Sequence, residues 1–262
     1  MNGEVGYAGL AISLVLVAVA LAISLRLRLR LEREMVTSVT RALLQLLIVG
    51  AALGLIIDPD TPLIWSWLWV FGIVIFAAAT VRRRAPAVPG LFWIAFVGNG
   101  ATAVVGFAVA FGLGIFPIAG RTLVPIAGML VGNAMKSGIV GATALVEALA
   151  DRRPEVEARL ALGQTSLQAS RPIVRSVLRV SLSPQLENTK GLGLVFLPGA
   201  MTGLILAGVD PADAVLVQLA IMYLMLGGVA TTTVIIVLGS VRRLFTSDHR
   251  LVALARTTRD TG

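Results

Sequence analysis

Apolar residues run along this chain in long, unbroken blocks separated by short polar links. A helix that crosses a bilayer needs roughly 17–25 mostly apolar residues. Blocks meeting or approaching that length fall at about 4–25, 41–57, 63–80, 91–115, 123–146, 189–209 and 213–240. The second and third are short and carry polar residues. The blocks are continuous rather than alternating, which excludes transmembrane β-structure. One link is long and polar, 147–188. The pattern predicts an all-α integral membrane protein of about seven spans, forming a single transmembrane domain over 1–262.

Composition agrees. Of 262 residues, 57% are hydrophobic and 14% charged, and mean hydropathy is +0.90. Water-facing domains carry about 25% Asp, Glu, Lys and Arg. There is no cysteine and one histidine, His249. Disulfides, thiolate metal sites and most histidine chemistry are therefore excluded. The net charge of +8 is a matter of placement. Of 22 Lys and Arg, 20 fall within 26–41, 81–90, 147–190 and 241–262, with Arg121 and Lys136 as the exceptions. Alternate links are thus basic, and the positive-inside rule puts the N-terminus outside and the C-terminus in the cytoplasm. The charge reports topology, not nucleic-acid binding. Residues 1–25 have no Lys or Arg before the apolar run, the reverse of a secretory leader, and read as the first span. The arginine-rich segment 26–40 reads as a helix continuing into the headgroup region, its arginines turned to anionic lipid.

Segment 147–188 predicts a cytoplasmic helix, tight turn, short helix and third helix. Val156, Leu160, Gly163 and Leu167 share one helical face. Arg152, Glu155 and Arg159 can pair on the other. Gly163 stops the first helix. Thr165 or Ser166 caps a short helix over 164–171. Ser183–Pro184 begins the third helix, which runs on into the sixth span. Such a short helix on two long ones resembles the lever by which ABC permeases dock on an ATPase subunit. The permease signature E-A-A-x3-G-x9-I is partly matched by Glu157, Ala158, Gly163 and Ile173, with Arg159 replacing the second Ala. The Leu-Pro usual after Ile is absent, with Arg175 and Ser176 there instead. A simple cytosolic helical hairpin is the alternative.

The strings RALLQLLIVG (41–50), PIAGMLVGNAM (125–135), ARLALGQTSLQASRPIVR (158–175) and LGLVFLPGAMTGLILAGVDP (192–211) resemble, in this order, the FetB-like iron-export permeases and the similar plant aluminium-sensitivity permeases. The resemblance covers most of 30–250. It implies the membrane subunit of an ABC exporter, paired as a homodimer with two ATPase subunits that use ATP and Mg, and it suggests iron as cargo. On this reading Glu157, Ala158, Gly163, Gln164, Thr165, Arg171 and Ile173 couple to the ATPase. Phe196, Ala200, Leu204 and Lys136 depart from the family's usual residues near the expected pathway, which leaves the substrate open.

Polar groups within the spans are the candidates for that pathway: Asn99, Asn133, Met135, Lys136, Pro198, Gly199 and Met201. The family's motif places Pro198–Gly199 inside the sixth span, where proline breaks the helix beside a pathway or merely kinks it. Gly128, Gly132, Ala134, Gly138 and Gly141 make small-residue rows suited to close helix packing. Asn133 and Asn99 bond a neighbouring helix or contact a solute. Arg41 and Gln45 sit at the inner end of the second span, snorkelling or anchoring near the ATPase. Lys136 is the sharpest feature. The nearest acid on its helix, Glu147, is about 16 Å away. A charge at mid-membrane is costly and points to function. Paired in a homodimer it would disfavour a bare cation and favour an anion or anionic metal complex. Alternatively it reaches a watery vestibule or is a neutral amine. The methionines are soft ligands but also ordinary packing residues.

No phosphate loop G-x-x-x-x-G-K-[ST] is present, so ATP hydrolysis is assigned to a partner and no cofactor to this chain. Few intramembrane acids argue against a stand-alone secondary transporter. No cluster of catalytic groups supports a membrane enzyme or scaffold. An ABC permease for an anionic or sugar-nucleotide-like solute is the closest alternative.

Overall fold

A computed structural model describes residues 7–58, 60–193, 197–246, 248 and 250–252. The helices are α1 (Tyr7–Leu27), α2 (Glu32–Ile56), α3 (Ile64–Arg84), α4 (Leu91–Ala110), α5 (Gly120–Asp151), α6 (Arg153–Ala161), α7 (Ser166–Gly191), α8 (Gly199–Leu206) and α9 (Pro211–Leu244). An isolated antiparallel bridge pairs Phe245 with Leu251. Among the described residues five helices, α2, α3, α4, α5 and α9, are long and apolar enough to cross a bilayer. The apolar part of α1, Leu14–Leu27, is shorter. The chain divides into two compact units, Met1–Asp58 and Pro59–Gly262.

In the first unit α1 and α2 are joined by a tight link. Arg28 and Arg30 take left-handed backbone, with φ of 52° and 58°. The Ser24 hydroxyl donates to the Glu32 carboxylate at 2.7 Å, closing the turn. The segment 26–40 is therefore not one continuing helix. The chain reverses at 28–31, and α2 starts nine residues before the expected 41. Arg41 and Gln45 consequently lie well inside α2 rather than at its end, and both are exposed.

The second unit is built on α5 and α9, each of which packs against several other helices. Toward one end a core gathers Val81, Val88, Leu145, Leu149, Val156, Ile173, Val241 and Leu244. Toward the other, Val74, Phe107, Leu123, Ile126, Leu130 and Leu224 pack together. The first core adjoins Arg82–Arg84 at the end of α3, Arg242 and Arg243 at the end of α9, and α6. This is the basic end of the bundle.

Small residues let α5, α4 and α9 approach closely. A Cβ on Gly138 would lie 2.6 Å from Ile236, one on Gly141 2.9 Å from Val237, and one on Gly228 2.6 Å from Thr102. Ala134 is fully buried. Gly128 and Gly132 have open space instead. The glycine row of α5 thus splits between a packed face and an uncovered one.

Two expectations are corrected. The stretch 189–209 is not one spanning helix. α7 ends at Gly191, Leu192 is extended, and a new helix of 8 residues begins at Gly199. Nor does Ser183–Pro184 begin a helix. α7 runs unbroken for 26 residues with Pro172 and Pro184 inside it, so no separate short helix exists over 164–171. Proline here removes one ladder bond that the surrounding turns and packing tolerate.

Gly228→Ala should lower stability by about 1–3 kcal/mol through overpacking against Thr102. Gly128→Ala should leave it unchanged or raise it by up to about 1 kcal/mol through helix propensity. Thermal unfolding of the detergent-solubilised variants checks both.

Candidate functional site

The hairpin at the basic end forms from local rules. Glu157 pairs with Arg153 at 2.6 Å, and Glu155 with Arg159 at 2.9 Å. The second of these was expected; Arg152 makes no salt bridge among the described residues, and Arg153 pairs with Glu157 rather than with Glu155. α6 closes with the Gly163 amide on the Leu160 carbonyl at 2.9 Å and the Gln164 amide on the Arg159 carbonyl at 3.2 Å. This is the Schellman arrangement, and Gly163 holds its left-handed position at φ 83°. Thr165 then caps α7. Its hydroxyl accepts from the Gln168 amide at 3.4 Å, while the Gln168 side chain accepts from the Thr165 amide at 2.9 Å. The turn is a defined knuckle with Leu162 at its tip, 82% exposed. Ala158, Gly163, Thr165 and Arg171 are exposed and Gln164 half-buried. Ile173 is not a surface contact. It is 2% exposed in the core and anchors α7.

α7 is tied into the bundle by hydroxyls. Ser137 on α5 lies 2.8 Å from the Ser181 carbonyl on α7 and 2.8 Å from the Thr233 hydroxyl on α9. Thr233 also reaches the Val229 carbonyl at 2.6 Å. Two hydroxyl protons serve three contacts, so either Ser137 or Thr233 donates to the other and the remaining one to a carbonyl. A second such pair joins α4 to α9. Thr102 and Thr232 lie 2.6 Å apart, with the Gly228 carbonyl 2.7 Å from Thr102 and the Gly98 carbonyl 2.9 Å from Thr232. Sequence reading missed all of these residues. A hydroxyl on an apolar helix has no local mark that tells cross-helix bonding from bonding to its own turn.

Neither asparagine hydrogen-bonds a neighbouring helix among the described residues. Asn133 donates to the Met129 carbonyl and Asn99 to the Ala95 carbonyl, each at 2.8 Å on its own helix. Asn99 is fully buried, and its side-chain oxygen has no partner among the described residues. Met135 packs against both cores. Lys136 is exposed near the middle of α5 and forms no salt bridge among the described residues. Pro198 is the residue before α8, with extended backbone at ψ 144°, and its carbonyl accepts from the Thr202 amide at 3.0 Å. It caps the start of α8 and is not a kink within one helix. Gly199 is exposed and Met201 half-buried beside it. Ala200 is exposed and Leu204 half-buried, while Phe196 and His249 lie outside the described residues. The structure therefore brings Gly163, Gln164 and Thr165 together at one knuckle, places Ile173 in the core, and leaves Asn99, Lys136 and Pro198 on separate helices. Among the described residues no three Asp, Glu, His or Cys side chains come together to hold a metal.

An apolar helical bundle with a basic end and an exposed knuckle defines a multi-pass membrane protein. Residues 7–245 match the family described as "Uncharacterised protein family (UPF0014)", and the chain belongs to that family. It is 35% identical over 94% of its length to the UPF0014 membrane protein YjkA of Bacillus subtilis, covering 98% of that protein. It is 34% identical to the probable iron export permease protein FetB of Escherichia coli, across 84% of this chain and 85% of that one. It is 36% identical to the protein ALUMINUM SENSITIVE 3 of Arabidopsis thaliana, across 78% of this chain and 74% of that one. No solved structure matches.

Ser137→Ala should destabilise more than Thr233→Val, about 1–2 against about 0.5–1 kcal/mol, because it cuts both the α7 and α9 contacts. Detergent unfolding of the single and double variants measures this.

Proposed function

We infer that the chain is the membrane-spanning, non-catalytic subunit of an ABC-type exporter, working as a homodimer with two ATPase subunits that bind ATP and Mg. The name of the E. coli relative supports a metal or metal-linked cargo of the iron type. The observation that carries the reading is the knuckle at 162–165. It is exposed, apolar at its tip, and mounted on α7, whose Ser181 carbonyl bonds α5 and whose inner face packs against α9. A push on the tip therefore reaches the centre of two spanning helices through one rigid rod. This is what coupling ATP-driven closure to alternating access requires. The positive-inside distribution supports a cytoplasmic position for the knuckle, the side on which an ATPase subunit would dock.

Co-purification with a phosphate-loop ATPase and measurement of stimulated hydrolysis test the reading. The wild-type chain should form a stable complex. Gly163→Val puts a β-branched residue in left-handed backbone. It should leave the bundle folded and reduce stimulated hydrolysis at least about tenfold. A wild-type chain that does not associate with the ATPase would refute the proposal.

A further inference from the structure

α7 is a polar helix that penetrates deep into an apolar bundle. At Ser181 it meets Ser137 and Thr233. The first charged side chains toward the basic end are Glu147 on α5 and Arg242 on α9, which lie about 14–15 Å below that level. Measured down α7 from Ser181, Arg171 sits about 15 Å away, level with that charged rim. Arg175 and Arg179 then lie about 6 Å and 12 Å inside it. Glu187 and Lys190 are deeper still and pair with each other at 2.8 Å, each about two-thirds exposed.

One side of α7 carries Ile173, Val174, Val177, Ser181 and Gln185 into the core. The other side is exposed and presents Arg171, Arg175 and Arg179 at four-residue spacing, one above the next at about 6 Å. None of the three forms a salt bridge among the described residues. Hydrocarbon cannot cover this face cheaply, since each arginine at depth costs about 2.5–3.5 kcal/mol. A second copy offering the same face would set like charges against each other. Water and anions are the complementary occupants.

The geometry points to the exposed face of α7 as the wall of a water-filled cleft, open at the basic end, whose Arg171–Arg175–Arg179 ladder gathers a solute bearing phosphate or carboxylate groups. This deepens the transport reading by naming a pathway wall and a charge class for the cargo. A metal ion would enter this cleft as an anionic complex. The ladder extends the positive field toward the level of Lys136, five residues from Gly141, which lies against Ser181.

The chain contains no cysteine, so single-cysteine variants report on their own positions. Ser176→Cys and Ser183→Cys lie on the exposed face, and Val104→Cys on exposed apolar α4 is the comparison. Inside-out vesicles are treated with anionic and cationic methanethiosulfonates of similar size. Both α7 variants should label, at least about tenfold faster with the anionic reagent, as expected where a cleft focuses positive potential. Val104→Cys should remain unlabelled. Arg175→Gln with Arg179→Gln should keep labelling but bring the two rates within about twofold. The proposal is overturned by Ser183→Cys as inert as Val104→Cys, or by oxidative cross-linking of Ser183→Cys between two copies. It is also overturned by an anionic preference that survives loss of the arginines, or that emerges only when phosphatidylglycerol is removed from reconstituted vesicles, which would assign the ladder to lipid headgroups. The labelling needs neither ATPase nor cargo, so its outcome is independent of whether the ATPase associates.

Discussion

Inside a bilayer a polar group must find its partner within the protein, because lipid offers none. The contact of Ser137 with the Ser181 carbonyl and the Thr233 hydroxyl satisfies that constraint where three helices meet. It also decides the architecture. α7 is too polar to be held by lipid, so it stays at depth only because α5 and α9 grip its inner face. Gly141 makes the grip possible, since any side chain there would press on Val237 and Ser181. The break after Gly191, the short α8 and the return through α9 all follow from where that node fixes α7.

The same rod links the two ends of the molecule's chemistry. At its start, the Schellman turn and the Thr165 cap make a stiff knuckle from four local hydrogen bonds. Further along, the arginines climb one face while the apolar residues lock the other. The knuckle and the arginine ladder therefore belong to one helix, and movement of either is movement of both. This economy explains why α7 tolerates two internal prolines. Its position is set by side-chain packing and cross-helix bonds more than by its own backbone ladder.

Much of the fold was legible in the residues. Long apolar runs announced α3, α4, α5 and α9 to within a few residues, apart from overlong ends, because membrane insertion depends on average hydropathy over a window. Gly163 and Thr165 announced the knuckle because caps are local. Other features were not legible. Asn133 and Asn99 looked like cross-helix groups, but each bonds back four residues, an option open to any asparagine on a helix. Ile173 matched a docking motif by spacing yet lies in the core. Pro184 carried a start signal that packing overrode.

By itself, then, the sequence determined the class of protein, its basic end, and the turns whose bonds close within a few residues. Tertiary structure alone decided how deep α7 runs, that the expected sixth span divides into α7 and α8, and which glycines are packed. The physical reason is the range of the forces. Hydropathy and capping are sums over neighbours in the chain. A serine that bonds the carbonyl of a helix 44 residues away, or a glycine that exists to admit another helix, is defined by a surface the chain supplies elsewhere.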